Sequence, residues 1–218
     1  MEYKQIIPCI YLSNGLAVKN LRDRSKVSED PVALASHFEN HGADAILIFD
    51  FSVNDAGHEK NLDIIKAISR TVDIPLIGAG NVKRAEDIKK LLYAGCEIAA
   101  LNFSKKENIE LAKEVSKRFG KEKIAASVAD TSELDAGESE IKNHIGLVLL
   151  INEDRLSEID EWFRTHCSEN HNPMSMDVIP LLEKESLHEA AAVLRSYDIA
   201  GIAGGVLDVS AEDFMDFK

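Results

Sequence analysis

The stretch VDIPLIGAGNVKRAEDIKKLLYAGCEIAALNFS, residues 72–104, decides the fold. It opens on a short apolar run, Ile74-Pro75-Leu76-Ile77, the pattern of a strand buried on both faces. A glycine turn follows, Gly78-Ala79-Gly80-Asn81. Then Ile88, Leu91 and Leu92 recur at helical spacing, with Lys83, Lys89 and Lys90 off that face. Gly95 reads as a helix stop, and Ile98-Ala99-Ala100-Leu101 is a second buried strand that ends at Asn102. This is one complete βαβ unit, and its strands are parallel because a helix joins them. In such folds chemistry gathers at the carboxyl ends of strands, where the glycine turn and Asn102 lie.

Outward from this unit the pattern repeats. Strand-like runs fall at residues 6–12, 45–51, 74–77, 98–102, 124–128, 147–152, 177–182 and 199–206. Helical patterns lie between most of them, at 31–41, 61–71, 85–94, 108–119, 156–167 and 186–197; Asp30-Pro31 is a start signal, a capping residue followed by proline at the first helical position. Residues 131–144 are ambiguous and are read as holding one short helix, and 210–218 as an acidic helix capped by Ser210. Eight alternations of strand and helix predict a (βα)8 barrel rather than an open sheet. The chain also echoes itself: Ile74-Pro75-Leu76-Ile77 returns as Ile179-Pro180-Leu181-Leu182, and Ile98–Leu101 as Ile199–Ile202. An offset of about half the chain implies two (βα)4 half-barrels.

Composition narrows the class. The 218 residues make one domain, with 45% hydrophobic and 29% charged residues, ordinary for a soluble globular protein. A formal charge of −13 argues against nucleic acid or an anionic membrane as the main partner. Cys9, Cys96 and Cys167, two of them in or beside core strands, read as reduced thiols of a cytoplasmic protein. The N-terminal MEYKQIIPCIYL has too short an apolar run for a signal peptide, and no window approaches a membrane span.

The order and spacing of several short motifs carry a resemblance. They are IIPC at 6–9, Gly15 with Val18-Lys19, Asp30-Pro31-Val32, Gly42-Ala43-Asp44, Phe49-Asp50 and Ile74-Pro75-Leu76. They continue through Glu86-Asp87, Leu91-Leu92, Ala94-Gly95, Asn102 and Arg118-Phe119-Gly120. In these the sequence resembles the cyclase subunit of imidazole glycerol phosphate synthase, a half-barrel-repeat protein of histidine biosynthesis. The likeness is close over residues 1–130 and only architectural beyond. It implies a barrel that closes an imidazole ring around ammonia with two aspartates as acid and base, fed by a glutaminase docked at the barrel bottom.

Set against that resemblance, this chain departs in two places. The aspartate expected after the IIPC strand is Tyr11, and the one expected at the end of the fifth strand is Ala129, with Asp130 one place later. A one-residue slip turns a side chain to the other face, and an unperturbed phenol is a poor base at neutral pH. Asp50 and Asp130 are the remaining carboxylate candidates, and Lys19 matches a substrate-contacting loop lysine that reads equally as a solvated one. The charged ring expected on the strand starts becomes Gln5, Ala45, Ile98 and Leu147, so glutaminase docking is not expected. The reading is a degenerate barrel that binds a phosphosugar or serves as a scaffold; the alternative is an active cyclase in which Asp50 and Asp130 replace the lost pair.

The resemblance also implies a phosphate lining, of which Gly80, Asn81 and Asn102 survive in one half and Gly204 and Gly205 in the other. Phe103 replaces a hydroxyl residue, and Glu183-Lys184 a glycine pair, so one site for a phosphosugar or ribonucleotide is expected rather than two. Asp50 has Asn54, Asp55 and His58 nearby, read as a polar cluster or, more simply, a solvated loop. His166, Cys167 and His171 fit no zinc spacing, so neither metal nor cofactor is expected. Asp213, Phe214, Asp216 and Phe217 read as an amphipathic terminal turn packing on the barrel. The chain ends at Lys218 without the usual sealing tail, which is read either as a compact protein or as the N-terminal part of a longer one. Self-association, or a fused phosphoribosyl-AMP cyclohydrolase-type domain, is the expected partner.

Overall fold

Runs such as Ile46-Leu47-Ile48-Phe49 have no polar face, so each must be covered on both sides, and closing a parallel sheet inside a ring of helices achieves this. The computed structural model, which describes residues 5–20, 22–166, 177–182, 192–193, 199 and 201–204, shows such a closure. The barrel strands are β1 (Gln5–Ser13), β4 (Ile46–Asp50), β5 (Leu76–Ala79), β6 (Ile98–Asn102), β7 (Ile124–Val128), β8 (Leu147–Leu150), β9 (Asp177–Leu182) and β10 (Gly201–Gly204). Neighbours pair in parallel in chain order, and β10 returns to β1 with Gln5 opposite Gly201 and Pro8 opposite Gly204. The protein is an α/β (βα)8 barrel. The echoed segments occupy its third and seventh strands (β5, β9) and its fourth and eighth (β6, β10), the offset a half-barrel repeat requires.

Helices α1 (Pro31–Asn40), α2 (Asp55–Ile68), α3 (Ala85–Tyr93), α4 (Lys106–Phe119), α5 (Thr131–Ala136), α6 (Glu138–His144) and α7 (Leu156–His166) form the outer layer. Alternation along each strand makes two cores. Ile46 and Ile48 of β4 join the layer under the helices, with Ile65, Ile88 and Val115; Leu47 and Phe49 join the barrel interior. That interior is built largely of small and medium residues, among them Ala45, Ala79, Ala100, Ala125 and Ala203.

Several boundaries differ from the sequence expectation. The third strand begins at Leu76 rather than Ile74, because Pro75 has no N–H to give the ladder, although its carbonyl still accepts from Ile46 N at 2.9 Å. Helix α2 begins at Asp55 rather than at Asn61; Asn54 caps it by accepting from Gly57 N at 2.8 Å, and its first turns are too polar to show apolar periodicity. Residues 131–144 hold two short helices, not one. Between them Gly137 lies against Phe103, whose ring would stand 2.7 Å from an added Cβ. An unforeseen hairpin, β2 (Leu16–Val18) with β3 (Lys26–Ser28), extends antiparallel from the end of β1. The turn that folds β2 back onto β1 is signalled by Asn14-Gly15, both at positive φ (52° and 82°), the dipeptide that favours tight hairpins; β3 then adds to β2 after residues 19–25. The predicted helices at 210–218 and, but for Ala192 and Val193, at 186–197 lie outside the described residues. So do Cys167, His171, Glu183, Lys184 and Gly205.

The turn after β5 is tightly constrained. Gly80 has φ +85°, and a Cβ there would stand 2.3 Å from the Asp50 carbonyl oxygen; Asn81 follows at φ 54°. Gly80→Ala should therefore cost roughly 3 kcal/mol or more. Asn81→Ala should cost about 1–2 kcal/mol. Urea unfolding of the two variants checks the order, and equal midpoints would contradict it.

Candidate functional site

The carboxyl ends of the barrel strands form the mouth, and alternation decides which side chains look into it. Tyr11 shares the inward face of Ile7 and Cys9 and is only 1% exposed. Its ring lies nearly parallel to those of Phe49 and Phe51, with centroids 5.6 and 5.8 Å away, and the Arg24 guanidinium carbon stands 5.3 Å from the Phe51 centroid. Three rings thus fill the wall where β1 and β4 end. Val18, from the hairpin, joins the same interior cluster.

Further round, Asn102 shares the face of Ala100, and its Oδ1 accepts from Ser104 N at 2.9 Å. Ser127, which sequence reasoning passed over, shares the face of Ala125; it is buried, and its hydroxyl donates to the Leu101 carbonyl at 3.4 Å. A lone small hydroxyl in an apolar run gives no signal of its facing until the register is known. Ala129 continues this face, and its N–H donates to Glu133 Oε2 at 2.7 Å. Burial pushes the Glu133 carboxyl up from its ordinary value, against the stabilising Ala129 N–H.

Both candidate carboxylates turn away from the mouth. Asp130 is the N-cap of α5: its Oδ1 accepts from Ser132 N at 2.9 Å, from Glu133 N at 3.3 Å and from the Ser132 hydroxyl at 2.5 Å. The Ser132 hydroxyl is the main reason its pKa lies below the usual carboxylate range. Asp50 has the parity of Ile46 and Ile48 and enters the helix layer, 2% exposed. Its Oδ1 accepts from Asn61 Nδ2 at 2.6 Å and Ser52 N at 2.8 Å, and its Oδ2 lies 2.5 Å from His58 Nδ1. The solvated-loop expectation is thereby corrected: a helix buries the cluster, with Asn61 rather than Asn54 or Asp55 as the third member. Histidine at 58 and asparagine at 61 stand at helical spacing ahead of Leu62 and Ile65, a pattern visible in the sequence once α2 is started early enough.

The remaining candidates are scattered. Lys19 is half exposed on the loop after β2, 3.9 Å from Asp23. Gly80 and Asn81 form the turn after β5, where Asn81 Nδ2 donates to Ser52 Oγ at 2.7 Å. Gly204 is buried at the end of β10, opposite Pro8. At the other end of the barrel Ala45 and Leu147 are buried in the interior cluster with Ile98 packed against it, while Gln5 is half-buried. Among the described residues no helix is long and apolar enough to cross a membrane, and no three His, Cys, Asp or Glu side chains converge as metal ligands would.

A closed parallel barrel with its loop polar groups at the carboxyl ends defines a (βα)8 protein of the kind that places ligands at that face. The sequence model of the family described as histidine biosynthesis protein matches residues 5–153, and the chain belongs to that family. It is similar to imidazole glycerol phosphate synthase subunit HisF of Methanopyrus kandleri, 29% identical over 204 residues that cover 93% of this chain and 72% of that one. The HisF subunits of Streptomyces coelicolor and Exiguobacterium sibiricum are 33% and 35% identical over 65% and 55% of this chain. Against these two the chain spans about half the relative's length, 57% and 49%.

The placements lead to three predictions. Asp50→Ala strands the buried His58 and Asn61 and the half-buried Ser52 N–H, and should destabilise by roughly 3–5 kcal/mol. Asp130→Ala loses one exposed cap and should cost about 1 kcal/mol. Denaturant titration separates them, and a larger loss at Asp130 would reverse the assignment. Asp130 also carries a pH signature. Its folded pKa lies below the unfolded value, so its contribution is present above the unfolded pKa and is lost as pH falls through the folded one. Asp130→Asn should flatten the acid limb of the stability curve. Burial raises Cys96 to about 12 and pushes Cys9 further in the same direction. In a Cys167→Ser variant no thiol should therefore react with a disulfide reagent at pH 8 until the protein is unfolded.

Proposed function

We propose that this histidine-biosynthesis barrel has lost cyclase catalysis and serves as a phosphosugar-binding or scaffold domain. One observation carries the reading. The inward positions where the resemblance expects the acid and base hold Tyr11, buried against Phe49 and Phe51, and Ala129. Acid–base catalysis needs a titrating group within hydrogen-bond reach of the reacting atoms, and the two nearby aspartates are committed to α5 and to the Asp50–His58–Asn61 cluster. The apolar strand starts at Ala45 and Leu147 support the same reading, because a charged ring persists in a barrel core only where function offsets its desolvation. What remains for a ligand is the turn at Gly80 and Asn81, with Asn102 on the next strand and Gly204 at the end of β10, a lining suited to one phosphate group. The partner this reading expects is a second copy or a fused phosphoribosyl-AMP cyclohydrolase-type domain, and no glutaminase.

A second reading is favoured by the HisF relatives, which are named as subunits of a synthase: an active cyclase. Purified protein with ammonia and the phosphoribosyl ribonucleotide substrate of the synthase decides between them. The expected outcome is no turnover above the uncatalysed rate and no co-purification with a glutaminase subunit. Turnover that Asp130→Asn or Asp50→Asn abolishes without unfolding the protein would establish the second reading.

A further inference from the structure

A cavity of about 120 Å³ opens between the N-terminal ends of α2 and α3, on the helix side of β4 and β5 rather than over the barrel axis. His58 lines it, and this residue is 6% exposed. Its Nδ1 is engaged by Asp50, whereas its Nε2, buried as well, meets no hydrogen-bonding partner on the protein. An orphaned ring nitrogen at a cavity wall is costly unless something fills the role of partner.

The charges around the cavity are mostly matched. Glu59 holds Lys90 at 2.5 Å. Asp87 accepts from the backbone N–H groups of Lys83 and Arg84 at 3.0 Å each, with the Arg84 guanidinium 3.6 Å away. Two groups are left over among the described residues. Lys83 lines the cavity and makes no ion pair, and Asp55 is the one lining carboxylate without one. First-turn residues of helices fourteen and nine residues long meet here, so two positive helix ends add to Lys83 and oppose Asp55.

We propose that this cavity is a binding site for a small oxyanion of the phosphate type, held by His58 Nε2 and Lys83. Size and chemistry select that class. The volume is well below the roughly 300–1,000 Å³ of pockets that take whole cofactors or drug-sized ligands. A partly protonated phosphate both donates and accepts, so it satisfies Nε2 in either protonation state of the ring. The site is separate from the mouth and does not rest on the phosphosugar reading, although Asn81 forms part of its wall. An ion bound there would brace the Ser52–Asn81 contact from behind and fix the turn that faces the mouth.

Nitrogen NMR of the full chain, titrated with inorganic phosphate at fixed pH and matched in ionic strength with chloride, tests this. The His58 side-chain signals, assigned by their disappearance in His58→Gln, should shift saturably with phosphate and not with chloride. Lys83→Ala, at an exposed position, should weaken that response about tenfold. Asn102→Ala, which alters only the mouth, should leave it unchanged. His58 signals that do not respond to phosphate would overturn the proposal. So would a response equal in chloride, or one lost in Asn102→Ala but kept in Lys83→Ala.

Discussion

A strand in a closed parallel barrel divides its side chains between two cores, and this division governs the whole molecule. Odd residues of β1 and β4 pack the interior; their even neighbours pack beneath the helices. The consequence is binary. A residue at a strand end either looks into the mouth or braces the helix that follows, and a shift of one position converts one role into the other. Asp50 falls on the helix side, and so does Asp130, one place past the inward-facing Ala129. The carboxylates nearest the mouth in sequence are thus bound up in holding α2 and α5.

The same constraint explains why the interior holds together. Alanine recurs on five inward positions, and the larger residues between them, such as Leu47, Leu149 and Leu181, fill the axis. At the top the filling changes character. Tyr11, Phe49 and Phe51 close the wall with three broad rings, and the hairpin sets Val18 against the same cluster. A mouth lined this way favours stacking and exclusion of water over proton transfer. Among the described residues, Asn102 and Ser127 add neutral polar groups on the inward face.

The architecture was legible because buried parallel strands have no polar residues to confuse their pattern. All eight strands lie within a few positions of their apolar runs, and boundaries differ where backbone chemistry overrides apolar periodicity, as at Pro75 and in the polar first turns of α2. The site was less legible. Strand parity at Ala129 and Asp130 could be read from sequence, and so could the tolerance of Asn81 for positive φ. The Asp50–His58–Asn61 cluster is hidden as long as the helix is started at Asn61, since only a helix that reaches back to Asp55 brings positions 58 and 61 onto one face. Ser127 was hidden by its size. A small hydroxyl in an apolar run gives no periodic signal, and its inward face emerges only from register.

Closing a barrel removes every free sheet edge, but the Asn14-Gly15 hairpin restores one. Among the described residues the outermost strand is β3, only three residues long. It carries an exposed lysine, Lys26, engaged with Glu29, and an exposed Val27. An unpaired backbone edge is a template on which another chain can add a strand, and proteins blunt such edges with brevity and charge. Both devices are present here. The molecule thereby gains an extra flap at its mouth without offering a long docking edge for aggregation, so self-assembly through this strand is held in check by its length and its lysine.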